Sequence, residues 1–274
     1  MIGKTYNPYS KKNKIILGLD YDGTLTPIAV HPSLAHLDPE GEQVLSELAN
    51  STDNVHKVVV ISGRELRELR RFVGFPSFYY IGNHGFEVEG PFIHYIHPEA
   101  LETKTLMEEV QKDLELGLRD FHGTFVENKI FTLSVHYRQL AKEKTELAKQ
   151  VFNEILRPYE ESAKVVLTEG RKVWEVRPAV EWNKGSALAW LLERWAEQEP
   201  RNSQKALKIY IGDDQTDEDV FKNILPSGIG IKVTRDGNEA SSARYYLHSP
   251  DEVFEFLKRL NRLKIKKEEF YAGR

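Results

Sequence analysis

Four aspartates in this 274-residue sequence follow largely apolar runs and could bind a cation together. Asp20 and Asp22 stand at the end of the run IILGL, and a second pair, Asp213 and Asp214, follows the run LKIYIG far downstream. Two unit charges about 4 Å apart repel by roughly 4 kcal/mol at an effective dielectric constant of about 20, so clustered carboxylates need a cation. Carboxylate oxygens, with no cysteine and no paired histidine nearby, favour Mg²⁺ over Zn²⁺. These residue types therefore predict a magnesium site.

Small, hydroxylic and basic residues near the same runs are suited to a phosphate group. Gly23 allows backbone N–H groups to approach an anion, and the Thr24 hydroxyl can donate a hydrogen bond. Ser62 and the N–H of Gly63 stand where a helix is expected to begin, which favours an anion. Lys184, at the start of another helical segment, could neutralise both a carboxylate and a phosphoryl oxygen. We therefore expect a phosphate site next to the magnesium site.

A carboxylate can also be the nucleophile and form an aspartyl-phosphate that water then cleaves. One aspartate would attack phosphorus, while a second would donate a proton to the leaving oxygen and afterwards activate the water. Asp20 and Asp22 are the right residue type for these roles. Their spacing alone does not decide which residue takes which role.

Short apolar runs separated by helical spacing are the elements that must position these groups. The runs are 15–19, 57–61, 78–81, 207–211 and 228–233. Because they lack polar alternation and helices lie between them, they predict an α/β fold with a Rossmann-like parallel sheet covered on both faces. Sites in such sheets form beyond the carboxyl ends of the strands, where the polar residues above are expected to converge.

The middle of the chain has a different pattern, with a helix and two strands that occur twice in succession. The first predicted hairpin joins 124–126 to 130–136, and the second joins 164–167 to 172–176. Hairpins imply antiparallel pairing, which a parallel core would not contain at this density. We therefore expect a separate α+β module at 86–181, inserted into a discontinuous core formed by 1–85 and 182–274.

Composition excludes several classes of protein. Apolar residues make up 40% and charged residues 29%, which predicts a globular chain with a sizeable core. The net charge of −4 argues against a nucleic-acid partner, and zero cysteines exclude disulfides and thiol chemistry. No apolar run reaches the roughly 18 residues of a membrane helix, and the polar N-terminus does not resemble a secretory signal. We expect a cytoplasmic protein without a membrane partner.

The order of four motifs resembles the haloacid-dehalogenase-like phosphohydrolases. The motifs are Asp-x-Asp-Gly-Thr-Leu, Ser-Gly-Arg, Lys and Gly-Asp-Asp-x-x-Asp. The resemblance implies Asp20 as nucleophile, Asp22 as acid and base, and 86–181 as a cap domain. It also implies Ser62 and Lys184 as phosphate anchors, beside Thr24 and Gly63. The Mg²⁺ ligands that it implies are Asp20, the Asp22 carbonyl and Asp213, with support from Asp214 and Asp217.

Finer motifs are similar to those of the trehalose-6-phosphate phosphatases. They are Gly82-Asn83-His84-Gly85, Val126-Glu127-Asn128-Lys129, His136-Tyr137-Arg138, Glu175-Val176-Arg177-Pro178 and Gly212-Asp213-Asp214-Gln215-Thr216-Asp217-Glu218. The resemblance implies a monomeric enzyme for trehalose 6-phosphate, with a trehalose-6-phosphate synthase as a candidate partner. The sugar-binding residues that it implies are Asn83, His84, Glu127, Lys129, Arg138, Arg171 and Glu175.

Three alternatives stay open on the sequence. The chain could act on another sugar phosphate such as sucrose 6-phosphate, serve as a phospho-switch, or sense a sugar phosphate without catalysis. Individual residues also have structural alternatives: Ser62 and Asp217 as helix caps, and His84 as a core histidine. Charged residues at hairpin turns are often only solvated, which is the alternative for Glu127 and Lys129.

Overall fold

The computed structural model describes residues 14–51, 55–200, 206–224, 228–237 and 240–262, so the polar N-terminal segment 1–13 lies outside it. The strands are β1 (Ile15–Asp20), β2 (Val55–Ile61), β3 (Tyr79–Gly82), β4 (Glu87–Gly90), β5 (Ile93–Ile96), β6 (Phe125–Asn128), β7 (Leu133–His136), β8 (Val165–Gly170), β9 (Val173–Pro178), β10 (Leu207–Gly212), β11 (Gly228–Val233) and β12 (Tyr245–Leu247). The helices are α1 (Pro39–Asn50), α2 (Leu66–Val73), α3 (Pro98–Glu102), α4 (Lys104–Gly117), α5 (Thr145–Glu161), α6 (Lys184–Gln198), α7 (Glu218–Ile224) and α8 (Pro250–Arg262). None of these helices combines the length and apolar character that crossing a bilayer requires.

A large sheet confirms the predicted α/β class. Within the described residues it has eight strands in the order β12-β11-β10-β1-β2-β3-β4-β5. The strands from β12 to β3 are parallel, and β1 is buried along its whole length between β10 and β2. Helices α1, α2 and α8 pack on one face, and α6 and α7 pack on the other. Burial on both faces explains why these strands are continuous apolar runs.

The hairpin of β4 and β5 extends this sheet with two antiparallel strands. Its first strand pairs with β3 through Ile81 and Val88, both completely buried. The sequence analysis placed residues from 86 onward in the inserted module, whereas 87–96 pair with the large sheet. The division of the chain into a core and a cap stays a prediction, and the second sheet begins only at β6.

The second sheet is small and antiparallel, in the order β6-β7-β9-β8, as the two predicted hairpins require. Side chains alternate across a strand, so each strand presents two different faces. Leu133 and Trp174 are buried against α4 and α5, whereas Ser134 and Glu175 lie on the opposite face. Strands β6 and β8 extend further into their hairpins than predicted, whereas β7 begins only at Leu133, so that Glu127 lies within β6 and not in the turn.

The turn between β3 and β4 lies beside the segment that leads the chain from β9 to α6. The indole Nε1 of Trp182 donates a hydrogen bond of 2.8 Å to the carbonyl oxygen of Gly85. A Cβ atom at Gly85 would meet the Asn183 backbone at 2.6 Å, and the residue has a φ of 115°. Glycine is therefore required where this turn approaches that segment.

Candidate active site

Three buried carboxylates converge beyond the carboxyl ends of β1 and β10. Single oxygens of Asp20, Asp213 and Asp217 all lie within 4.8 Å of one another. Lys184 enters the cluster with its Nζ 2.7 Å from Asp20 Oδ1 and 2.8 Å from Asp217 Oδ1. Of the aspartates expected to converge, the structure brings Asp20 and Asp213 together, and Asp217 and Lys184 join them.

The cluster holds more negative than positive buried charge. Burial raises the pKa of Asp20 well above its ordinary value, and the charges of Asp217 and Asp213 add to this, against the opposing effect of Lys184. The pKa of Asp213 is raised for the same reasons, burial first and then Asp217. One ammonium group does not offset three carboxylates, which is the electrostatic setting that a divalent cation stabilises.

Asp217 holds Lys184 in place and also caps a helical turn. Its Oδ1 accepts hydrogen bonds from Lys184 and from the Tyr210 hydroxyl, and its Oδ2 accepts from the backbone N–H groups of 213 and 214, both at 2.9 Å. Lys184 is the first residue of α6, where the helix dipole disfavours a cation. The paired carboxylates of Asp20 and Asp217 compensate for that position, so the cap and the site alternatives for Asp217 both hold.

The donor set of this cluster fits a hard divalent cation. Asp20 Oδ2 and both carboxylate oxygens of Asp213 are buried without a hydrogen-bond partner among the described residues. Gly23, with a φ of 90°, lies against Asp213, and a Cβ atom there would overlap that carboxylate. Asp214 lies at the rim, where its side chain accepts a hydrogen bond from the N–H of Gln215. Unsatisfied buried carboxylate oxygens of this kind are what Mg²⁺ coordinates.

Hydroxyl groups predicted for a phosphate lie next to the carboxylates. The Thr24 hydroxyl is buried and has no partner among the described residues, so its hydrogen is available to an anion. The Ser62 hydroxyl accepts from the N–H of Arg64 at 3.1 Å. Helix α2 begins only at Leu66, with Glu65 at the cap position, so the alternative of Ser62 as helix cap is wrong.

The Asp22 side chain is held by an arginine. Arg64 Nε donates to Asp22 Oδ2 and Arg64 Nη2 donates to Asp22 Oδ1, each at 2.7 Å. The sequence analysis noted Arg64 only as part of Ser-Gly-Arg and gave it no role. Its position three residues after the end of β2 was the available signal.

The polar face of the second sheet lies above these groups. His136 Nε2 lies 2.7 Å from Glu127 Oε2, and Lys129 is buried beside them. Burial alone would raise the pKa of Glu127, but Lys129 and His136 lower it to about 2. Glu127 is therefore an ionised acceptor at neutral pH.

Glu175 is the centre of a second charged group on the same face. His84 Nε2 lies 2.9 Å from Glu175 Oε1, Arg177 donates to Glu175 Oε2, and Lys129 Nζ lies 4.0 Å from Oε1. Burial opposes ionisation of Glu175, but the hydrogen bond with His84 and the charges of Arg177 and Lys129 hold its pKa well below the ordinary value. Burial and Arg177 lower the pKa of His84 to about 3, so its ring is neutral.

Three predicted sugar-binding residues differ in their access to the cleft. Arg171 is exposed and places Nη1 3.2 Å from Asp213 Oδ2, while Arg138 donates to the Arg171 carbonyl oxygen at 2.7 Å. Asn83 is completely buried and is not part of the cleft lining. Its Nδ2 donates to Glu87 and to the Lys129 carbonyl oxygen.

Two partners were missed by the sequence analysis. Arg177 lies two residues after Glu175 on β9 and therefore on the same face, and His136 pairs with Glu127 across β6 and β7. Strand alternation was the signal for the first pair. The second depends on strand register, which the misplaced hairpin turn obscured.

One cleft of about 150 Å³ lies between the two sheets, and its lining includes Asp20, Asp22, Ser62, Arg64, His84, Glu127, Lys129, His136, Arg138, Arg171, Glu175, Lys184, Asp213 and Asp214. Asp217 lies behind this lining, as do Asn83, Thr24 and Arg177. A larger cavity of about 930 Å³ runs along α2 and reaches Glu127 and Lys129 from the other side. We place the site in the smaller cleft because only that one contains the buried carboxylates and Lys184. It combines a nucleophile candidate, a cation site and a wall of charged hydrogen-bonding groups.

Comparison with known proteins gives a consistent result. A family model described as trehalose-phosphatase matches residues 18–251. The chain is 39% identical over 262 residues to the probable trehalose-phosphate phosphatase D of Arabidopsis thaliana, covering 92% of this chain and 68% of that protein. It is 36% identical over 259 residues to the probable trehalose-phosphate phosphatase 4 of Oryza sativa subsp. japonica, covering 92% and 67%. The solved C-terminal domain of the C. albicans trehalose-6-phosphate phosphatase has the same fold, with a TM-score of 0.78 at 21% identity over 94% of this chain and 95% of that one.

Proposed function

Because this chain belongs to the trehalose-phosphatase family of haloacid-dehalogenase-like phosphohydrolases, we propose that it hydrolyses trehalose 6-phosphate to trehalose and phosphate, with Mg²⁺ and through an aspartyl-phosphate. As a family member it is a phosphomonoester hydrolase. The observation that carries the mechanism is the placement of Asp20. One of its oxygens is held by Lys184, and the other is buried without a partner in the described part of the chain.

In the first step, Asp20 attacks phosphorus and the bond between phosphorus and the sugar oxygen breaks. Asp22 gives its proton to the departing sugar oxygen, so trehalose leaves neutral and Asp22 becomes a carboxylate. Lys184, which lines the cleft beside Asp20, would donate to the phosphoryl oxygens, and the buried Thr24 hydroxyl, which lacks a partner among the described residues, is a further candidate donor. Donors fixed in a buried site before the reaction stabilise the charge that develops on those oxygens.

In the second step, the Asp22 carboxylate takes a proton from water, and the water oxygen attacks phosphorus. The bond between phosphorus and Asp20 breaks, which releases inorganic phosphate and restores the Asp20 carboxylate. Asp22 carries the proton again, so the cycle closes. Both proton transfers use one side chain, which suits a residue at the cleft that is only partly buried, as Asp22 is.

The residues that would hold Mg²⁺ are Asp20 and Asp213, with the Asp22 carbonyl and Asp214 as further candidates. When bound, the cation supplies charge neutralisation that allows an anionic carboxylate to approach an anionic phosphate. The cluster fits this role because three of its carboxylate oxygens accept no hydrogen bond within the described residues, and one of the three, Asp213 Oδ2, lies near a cation, the exposed Arg171.

The second sheet supports recognition of a sugar. A disaccharide offers many hydroxyls and little apolar surface, so its pocket needs charged donors and acceptors. Glu127, Lys129 and Glu175 provide them on one face, and Arg138 and Arg171 stand at the rim. We propose that these side chains, together with His84, bind the glucose units of the substrate.

A substrate comparison tests this proposal. With Mg²⁺ present, kcat/KM for phosphate release should be at least about tenfold higher with trehalose 6-phosphate than with sucrose 6-phosphate or glucose 6-phosphate. The reason is that a site built to bond particular hydroxyl groups rejects analogues that lack them. A chelator should abolish release, and adding Mg²⁺ should restore it.

Each alternative gives a different result in that comparison. Equal or higher rates with sucrose 6-phosphate would show that the enzyme acts on another sugar phosphate. A stable phosphoprotein without turnover would favour the phospho-switch, and binding without any release would favour the sensing domain. A cytoplasmic location, a monomeric state and a trehalose-6-phosphate synthase as partner stay predictions.

A further inference from the structure

Arg64 is fixed by the protein on every side of its guanidinium group. Besides its two bonds to Asp22, its Nη1 donates to Glu68 Oε2 at 3.0 Å and its Nη2 donates to the Pro32 carbonyl oxygen at 2.8 Å. The Arg64 side chain is only 5% exposed, whereas that of Asp22 is 35% exposed. The arginine is therefore part of the framework, and the aspartate is the member of the pair that faces the cleft.

Aromatic rings fix the plane of the guanidinium as well. Its central carbon lies 4.9 Å from the ring centre of Phe72 and 5.4 Å from that of Tyr21. The backbone N–H of the same residue bonds to the Ser62 hydroxyl. A planar fork held in this way presents its two N–H groups to Asp22 in one orientation only.

We propose that Arg64 is a positioning residue that sets the Asp22 carboxyl group for proton transfer to the leaving oxygen. The inference rests on the proposed function of Asp22 as acid and base. A guanidinium that bonds to both oxygens fixes the direction and plane of the Asp22 carboxyl group relative to the cleft. Arg64 therefore acts through Asp22 and not on the substrate.

The identity of the leaving group separates this role from a structural one. A sugar oxygen leaves poorly without a proton, whereas 4-nitrophenolate leaves well without one. Loss of acid assistance should therefore reduce turnover of an alkyl phosphate much more than turnover of 4-nitrophenyl phosphate. General misfolding, or loss of the nucleophile, would reduce turnover of both substrates alike.

The experiment compares kcat of the full chain for trehalose 6-phosphate and for 4-nitrophenyl phosphate in five variants, of which Asp22→Asn is the reference for a double variant. Arg64→Gln should reduce kcat at least about tenfold on the alkyl phosphate and less than about threefold on the aryl phosphate, since acid catalysis contributes about 10²–10⁴-fold. Arg64→Lys, which keeps the charge but not the fork, should lie between the wild type and Arg64→Gln. Arg67→Gln, an exposed arginine one residue into α2, is the matched control and should change neither rate.

The fourth variant combines Arg64→Gln with Asp22→Asn and should be no slower than Asp22→Asn alone, because the two residues act as one unit. The inference is overturned, and Arg64 has only a structural role, if the reductions in kcat multiply in this double variant or if Arg64→Gln reduces kcat equally on both substrates. Unchanged rates in Arg64→Gln would overturn it as well.

Other outcomes would count against the proposed function instead. It fails if the reduction of kcat in Asp22→Asn does not depend on the leaving group, or if the wild type turns over neither substrate. Thermal unfolding of each variant shows which of them are folded, and Arg64→Lys keeps the test decisive if Arg64→Gln is not.

Discussion

The ring of Phe125, in β6, stacks on the ring of His31, in the loop after β1, with centroids 4.8 Å apart. Its other face stacks on His136, at 4.4 Å. This three-ring stack joins the second sheet to the layer of the large sheet beside the cleft. His136 Nε2 also lies 2.7 Å from Glu127 Oε2, so the stack fixes one wall of the proposed sugar site.

Removing the stack should weaken substrate binding. Each aromatic pair contributes about 0.5–1.5 kcal/mol, so Phe125→Ala should raise KM roughly fivefold or more, with kcat changed less. Steady-state kinetics with trehalose 6-phosphate measure this. Phe92→Ala, at the fully exposed turn between β4 and β5, is the matched control. An unchanged KM in Phe125→Ala would show that the stack does not support the sugar site.

Replacing the nucleophile should abolish turnover without unfolding the protein. Asp20→Asn removes the attacking carboxylate, and by comparison with other catalytic deletions kcat should fall about 10³-fold or more. Asp120→Asn, an exposed acid in an irregular segment, should leave kcat unchanged. A wild-type rate in Asp20→Asn would rule out the aspartyl-phosphate route.

Gly23 should be irreplaceable because it lies against the Asp213 carboxylate, and not only because its φ is positive. Gly23→Ala places a methyl group against Asp213, so we expect Mg²⁺ affinity to fall at least about tenfold, a loss of about 1.4 kcal/mol. Gly74→Ala, also at positive φ but with only an ordinary contact at 4.0 Å from the Arg70 carbonyl oxygen, should cost roughly 1 kcal/mol of stability and leave Mg²⁺ affinity unchanged. Titration calorimetry with Mg²⁺ compares the two, and equal affinities would contradict the prediction.

Glu175→Gln should affect binding more than chemistry. The neutral amide leaves the charges of Arg177 and Lys129 uncompensated, and none of these groups touches the carboxylate cluster. We expect KM to rise about tenfold or more while kcat stays within about threefold, the pattern of an interaction made equally before and during the reaction. Glu169→Gln is the control, since Glu169 is an exposed acid of the same hairpin on the opposite face, where it pairs with Lys149 of α5. A loss confined to kcat would place Glu175 in the chemical step.

His84 should make the protein sensitive to mild acid. Its pKa is about 3 when folded and about 6.5 when unfolded, so between these values the unfolded chain binds a proton that the native chain does not. The free energy of unfolding should therefore fall with decreasing pH below 6.5, by up to about 1.4 kcal/mol per pH unit. Urea unfolding at pH 7 and pH 5 should show a loss about 2 kcal/mol larger in the wild type than in His84→Gln.

Two features keep that comparison specific to His84. The ionised Glu127 stabilises the native state at every pH above the ordinary pKa of a glutamate. This contribution is lost as the pH falls toward 2, which lies outside the compared range of pH 7 to pH 5. The raised pKa values of Asp20 and Asp213 affect both proteins equally. The exposed His94 provides a control, since His94→Gln should keep the wild-type loss. Identical losses in all three proteins would contradict the prediction.

The convergence of the site was predictable because it depends on strand order alone. Asp20 and Asp213 each stand at the carboxyl end of a buried apolar run, and parallel pairing brings such ends to one edge. Lys184 was predictable for a related reason, since a lysine opening a helix needs nearby anions.

The features that sequence reasoning missed depend on tertiary pairing. The β4–β5 hairpin alternates like the hairpins of the second sheet, and only its pairing with β3 assigns it to the large sheet. Arg64 and Asp22 are 42 residues apart, and no local pattern says that a guanidinium reaches across to that carboxylate. Contacts between side chains from distant elements have no periodic signature in one sequence.

The central position of β1 has a consequence for synthesis on the ribosome. One of its neighbours, β2, follows after about 35 residues, but the other, β10, is made only after the entire second sheet. Until then the nascent chain carries a strand with one open edge, and such edges invite pairing with other chains. Pairing of β10 with β1 covers that edge, and the same pairing brings Asp20 and Asp213 together.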